Sequence, residues 1–185
     1  MTVFYSEADF LLYQSILQRA SDRHGLKVLA YCLMPNHVHL IVEPSHPAAL
    51  SRALGAAHRR YAEILHRREG WSGHLWQARF YSCPLDALHL LRAVRYVLLN
   101  PVRAGLVGEA CAWRFSSARA HLLGEQDHLV SSDSLRGRVE DWAALLGSPA
   151  GEDELESIRN VTRAGRLRPA APRGRPWRES GPADP

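Results

Sequence analysis

Lysine is almost missing from this chain of 185 residues: Lys27 stands alone among 23 Lys and Arg. The positive charge is therefore guanidinium, which grips phosphate through paired hydrogen bonds and stacks on flat rings. That bias suits a nucleic-acid partner, and a GC-rich genome would produce it equally. Cysteine is scarce too. Cys32, Cys83 and Cys111 lie far apart and none belongs to a Cys-x-x-Cys pair, so neither a zinc knuckle nor a disulfide framework is indicated. They read as reduced thiols of a cytoplasmic protein. No apolar run approaches the roughly 20 residues that cross a bilayer, so no membrane partner is expected. The N-terminus has no charged lead followed by an apolar stretch, and no signal peptide is expected. No internal repeat is found. Net charge is only +4, which permits a polyanionic partner without requiring one.

What is present suits one core with an appendage: hydrophobic residues make up 46% of the chain, as in ordinary globular proteins. Ser6 with Asp9 three positions on predicts a capped helix start, and Gly25 its end. Residues 26–34 and 37–42 read as the two strands of a hairpin around the Pro35-Asn36 turn. Residues 50–68 read as a second helix carrying Arg52, Arg59, Arg60, Arg67 and Arg68. The segment 71–82 interleaves His74, Trp76, Gln77, Arg79, Phe80 and Tyr81. It fits a platform for single strands, where rings take bases and cations take phosphates, and it fits a half-buried strand as well. Asp86 is the expected cap of a third helix that runs to Asn100, where Pro101 stops it. In that helix Leu90, Leu91, Val94, Val97 and Leu98 form the core stripe, and His89, Arg92, Tyr96 and Asn100 fall opposite. Residues 113–115 and 118–123 suggest a further short strand or helix. Residues 126–150 are expected to be a helical extension, and 151–185 a flexible Arg- and Pro-rich tail.

The most telling pair is His37 and His39. Residues two apart on a strand share a face, so the two imidazoles stand side by side while Val38 and Leu40 face away. Two adjacent imidazoles on a rigid strand are half of a divalent-metal site. Taken alone they read first as two strand histidines meeting water or a hydrogen-bond partner.

Three stretches decide between these. Tyr31-Cys-Leu-Met-Pro-Asn-His-Val-His39, Gly73-His-Leu-Trp-Gln-Ala-Arg-Phe80 and Arg95-Tyr-Val-Leu-Leu-Asn-Pro-Val-Arg-Ala-Gly105 resemble the REP-associated tyrosine transposases. These belong to the HUH (His-hydrophobe-His) single-strand nucleases. The resemblance covers about residues 3–123 and implies an α+β fold, a ferredoxin-like α/β sandwich with an antiparallel sheet, as a catalytic domain over 1–125. It implies a metal-dependent transposase or nickase that cleaves and rejoins single-stranded hairpin DNA through a 5′-phosphotyrosine. On the matched positions Tyr96 becomes the nucleophile, and His37, His39 and Asn100 the ligands of magnesium or manganese. Arg59, Arg60, Arg67, Arg68, His74, Gln77, Arg79, Arg92 and Arg103 are the candidate DNA contacts. A homodimer is among the forms the resemblance implies.

In one respect the chain departs from that pattern. Members of the family usually open with an apolar-aromatic strand ahead of the residues matching Val3-Phe4-Tyr5, so either the start is placed too late or the sheet lacks its first strand. That motivates an alternative function: a non-catalytic or host-domesticated single-stranded-DNA-binding relic. A hydrolase of small phosphoesters is a third reading, and nothing in it requires Asn100.

Overall fold

The computed structural model describes residues 2–130, 135 and 137–147. It is an α+β structure built on one antiparallel hairpin, with helices on both of its faces. Helix α1 (Glu7–His24) starts where the sequence expects. The Asp9 carboxylate reaches back to accept the Ser6 and Tyr5 backbone N–H groups, both at 2.9 Å, satisfying donors that a helix start leaves open. It ends at Gly25, whose φ of +66° is the left-handed cap. A Cβ there would also collide with the Ser45 hydroxyl.

Strands β1 (Leu26–Met34) and β2 (His37–Pro44) pair from Met34–His37 at the turn to Leu26–Pro44 at the far end, with a bulge between Val28 and Ala30. The bulge shifts the alternation of β1 by one residue. Leu26 and Val28 before it, and Tyr31 and Leu33 after it, all join one core. Ala30, Cys32 and Met34 face the other way and join a second.

The first core lies under α1 and α2 (Ala49–Glu69) and is aromatic. Phe10 stacks on Phe115 at 4.0 Å, and Phe4, Tyr13 and Tyr61 meet edge to face or tilted nearby. Burying each such ring contributes roughly 1.5–3 kcal/mol. The second core lies under α3 (Ala87–Leu98) and is made of smaller groups, among them Ala93, Val94, Ala110 and Ala118. Helices α5 (Ala118–Leu123) and α6 (Trp142–Gly147) close it, with His121 stacked on Trp142 at 4.4 Å.

The outer edge of β1 is partly covered. Leu33 donates to the Phe115 carbonyl, Ser117 donates to the Tyr31 carbonyl, and Val28 forms a single parallel bridge with Val130. Among the described residues β2 has no strand on its other side. No helix among them is long and apolar enough to cross a membrane.

Two local expectations change. Helix α3 stops at Leu98, and Asn100–Arg103 is a separate turn of helix, α4, with Pro101 in its first turn. A proline there loses no hydrogen bond, because the first N–H groups of a helix have no intrahelical acceptor. The segment 71–82 is neither helix nor strand. Leu75 is buried, and Trp76 stacks on His58 at 4.1 Å while donating to the His58 carbonyl. This loop is held by side chains rather than by a ladder. The expected tail, 151–185, lies outside the described residues.

Candidate active site

The hairpin register sets the site. His37 sits opposite Met34 and His39 opposite Cys32, so both imidazoles project into the smaller-residue face under α3. Their Nε2 atoms are 2.8 Å apart, with the rings perpendicular. The Asn36 side-chain oxygen lies 2.6 Å from His37 Nδ1. A proton on Nδ1 donated to that oxygen leaves the Nε2 lone pair aimed at His39. Two nitrogens each about 2.1 Å from one cation and at right angles about it would stand about 3.0 Å apart. The observed spacing fits that arrangement, and it also fits a single N–H···N hydrogen bond.

Burial lowers the pKa of both histidines. His37 falls below its ordinary value for that reason alone. His39 drops to about 3, through burial first and then the nearby His37 and Arg103. Both rings are therefore neutral near pH 7, the form that offers a lone pair to a metal.

Helix α3 supplies the third group. Asp86 caps it by accepting the His89 N–H at 2.9 Å, and the apolar stripe Val94, Val97 and Leu98 is driven into the core. That rotation carries Tyr96 toward β2. Its ring is perpendicular to His39 with centroids 5.8 Å apart. From α4, the Arg103 guanidinium carbon lies 4.3 Å from the centre of the Tyr96 ring. The phenol is thus held between a neutral imidazole and a cation, an attractive arrangement for an aromatic ring. Asn100 is buried, and its side-chain N–H donates to the Tyr96 carbonyl at 3.1 Å. Among the described residues no group of three His, Cys, Asp or Glu is placed to hold a metal ion.

Compared with known families, residues 2–99 match the one described as IS200-like transposases. The chain belongs to the IS200-like transposase family. The match spans more than half of the sequence, takes in His37, His39 and Tyr96, and ends one residue before Asn100. No curated protein and no solved structure matches the chain. Membership makes this IS200-like transposase a DNA-processing enzyme, with DNA as its partner.

Its other candidate contacts are spread widely. Arg59 and Arg60 are exposed on α2 and both approach Glu63. Arg67 is exposed about two turns further on. Arg68 donates to Asp9 at 2.6 Å and to Glu69 at 2.6 Å, which gives it a structural task. All four belong to the helical layer on the face of the hairpin opposite the histidines. His74, Gln77 and Arg79 are exposed in the 71–82 loop, and Arg92 is exposed on α3.

Two features of the transposase site escaped the sequence. Asn36 reads as a turn residue, yet it orients His37; its position directly before the first histidine was the available signal. Arg103 reads as a phosphate contact, yet it also covers the face of Tyr96. That placement depends on helix resuming at Asn100 after the break, where Pro101 reads only as a stop.

Proposed function

We propose that this transposase cleaves and rejoins single-stranded, hairpin-forming DNA, with Tyr96 as nucleophile, as in the REP-associated tyrosine transposases its motifs resemble. One observation carries the reading: the Tyr96 ring meets His39 from a helix some 60 residues further along the chain. A core needs no phenol beside two desolvated imidazoles, whereas phosphoryl transfer does need a nucleophile beside a phosphate-binding centre.

The Tyr96 oxygen attacks the phosphorus and gives up its proton to solvent. The bond from phosphorus to the 3′-oxygen breaks, and that oxygen leaves as a protonated 3′-hydroxyl. The phosphate stays on Tyr96 as a diester to the 5′-oxygen of the downstream strand. One phosphodiester replaces another, so a 3′-hydroxyl can attack in turn and rejoin the strand. His37 and His39, with the Asn100 amide as third donor, would hold magnesium or manganese, which polarises the scissile phosphate when bound. Manganese suits both the imidazoles and the oxygen ligands of DNA. Arg103 holds the phenol ring and offers its N–H groups to the incoming phosphate, and Arg92, exposed on the helix that carries Tyr96, extends the cationic surface.

A second reading, DNA binding without cleavage, draws on the lack of a third His, Cys, Asp or Glu beside the pair among the described residues. The test is a labelled single-stranded hairpin incubated with the protein and manganese, followed by denaturing electrophoresis. A covalent adduct is expected with the parent and none with Tyr96→Phe. An adduct formed equally by Tyr96→Phe would remove Tyr96 from the nucleophile's role. Binding by a folded parent without any adduct would favour the second reading.

A further inference from the structure

We propose that Tyr5 and Trp71 form a stacking platform for an unpaired base of the strand held at the His–Tyr site, a proposal that rests on the reading of that site given above. Both rings are exposed, at 49% and 43%, and they meet edge to face at 5.3 Å. An exposed aromatic pair offers the π surface that single-strand binders use, since every base has a face to stack.

The pair is held on a firm base. Tyr5 donates its backbone N–H to the Asp9 carboxylate and its hydroxyl to the Thr2 carbonyl. Trp71 donates its backbone N–H to the His66 carbonyl at the end of α2. Arg68 on α2 clamps Asp9 on α1 at 2.6 Å, with Asp9 wholly buried. The clamp ties together the two helix ends that carry the rings, so little ordering is needed on binding.

Location connects the platform to the site. Val3 and Phe4 both donate to the Pro35 carbonyl, at 2.8 and 3.1 Å. Pro35 and Asn36 lead straight into His37. Bond lengths along that path keep the Cα atoms of Tyr5 and His37 within about 18 Å of each other, a span of a few nucleotides. The nearby acids are engaged: Asp9 and Glu69 with Arg68, and Glu7 with Arg114. Arg67 is exposed close by. The surroundings therefore accept a phosphate chain.

The test uses the full chain carrying Tyr96→Phe, so that binding is read without cleavage. A labelled hairpin with a single-stranded flank is titrated, and then the same DNA with one abasic site placed at each flank position in turn. Trp71→Ala is expected to weaken binding about 5- to 150-fold, and Trp71→Phe to recover most of the loss. One abasic position should weaken binding to the Tyr96→Phe protein by a similar factor and cost Trp71→Ala nothing more. Binding by Trp71→Ala within twofold of its background, or an abasic penalty that persists in it, would overturn the platform. Should Trp71→Ala not fold, Tyr5→Ala decides by the same comparison. Adduct formation with Tyr96 restored is scored separately: its absence would sink the cleavage reading, while the abasic comparison still decides the platform.

Discussion

One hairpin feeds two unlike faces. Val38, Leu40 and Val42 turn toward α1 and α2, into a core of stacked rings with a buried, ion-paired carboxylate. His37, His39 and Ile41, their neighbours in sequence, turn toward α3, where Ala30, Cys32, Ala93 and other small groups line the strand. The first face is filled by large apolar groups, as a stabilising core is. The second tolerates two desolvated imidazoles and a half-buried phenol, an arrangement that makes little sense for stability alone. The same strand thus separates holding the fold from doing chemistry by the simple alternation of its side chains, and substitutions on the two sides should fail in different ways.

The largest effect should come from the chemical face. His39→Ala removes one nitrogen of the pair and, on the proposed mechanism, about 4 kcal/mol of help to the developing charge, or roughly a thousandfold in adduct formation. Its melting temperature should move less than for a core substitution, because the ring's neighbours are the polar His37 and the half-buried Tyr96 rather than a close-packed apolar shell. A His39→Ala protein that cleaved at more than a tenth of the parent rate would put the chemistry elsewhere.

On the opposite face the order reverses. Tyr61 is fully buried, touches Phe4 and Tyr13, and donates to the Val3 carbonyl at 2.9 Å. Tyr61→Ala should destabilise by about 3–5 kcal/mol, through the cavity and the orphaned carbonyl. Chemical denaturation measures this, and adduct formation by the remaining folded fraction should match the parent. A specific loss of cleavage at full stability would break the division between the faces.

Asp9→Asn should come next. Burial would raise the Asp9 carboxyl, but the Arg68 guanidinium and the Tyr5 and Ser6 N–H groups outweigh it and hold it below the usual carboxylate range. Losing a buried ionic partner can cost 3–5 kcal/mol. Arg68 is 41% exposed, so solvent screens the pair and about 2 kcal/mol is the better figure. The sign of the pH effect follows. A depressed carboxyl stabilises the fold above its unfolded value and loses that contribution as pH falls through its folded value. The gap between parent and Asp9→Asn should therefore be full at pH 7 and shrink below about pH 4. Melting curves across that range check it; a gap that widened in acid would mean the pair is not what stabilises.

The ends of α1, the hairpin and its turn, and the start of α3 were legible because their causes are local: a capping box, a left-handed glycine, a period of two, an aspartate before an apolar stripe. The partition of β1 between two cores was not, because one bulge after Val28 shifts the alternation and no residue announces it. Nor was the partner of Arg68, whose run of arginines looks uniform until Asp9, 59 residues away, takes one of them. The His37–His39 pair was legible as a pair. Its meeting with Tyr96 and Arg103 depends on the rotation of α3 and the break before α4, which only packing decides.

The smallest effect should come from the arginines that packing leaves alone. Arg59 and Arg60 reach Glu63 at 3.8 and 3.6 Å with all three side chains at least half exposed, and such pairs contribute little. The double change Arg59→Gln and Arg60→Gln should leave the melting temperature unchanged within error. If DNA runs on from the site over the α2 layer, each lost phosphate contact lowers the salt dependence of binding by about 0.7 for a single strand. The pair should then flatten the slope of log affinity against log salt by about 1.4, with the rate of adduct formation at saturating DNA unchanged. An unaltered slope would keep the DNA off this stretch of α2, and a lost adduct at saturation would mean that the two faces are less independent than the hairpin's alternation implies.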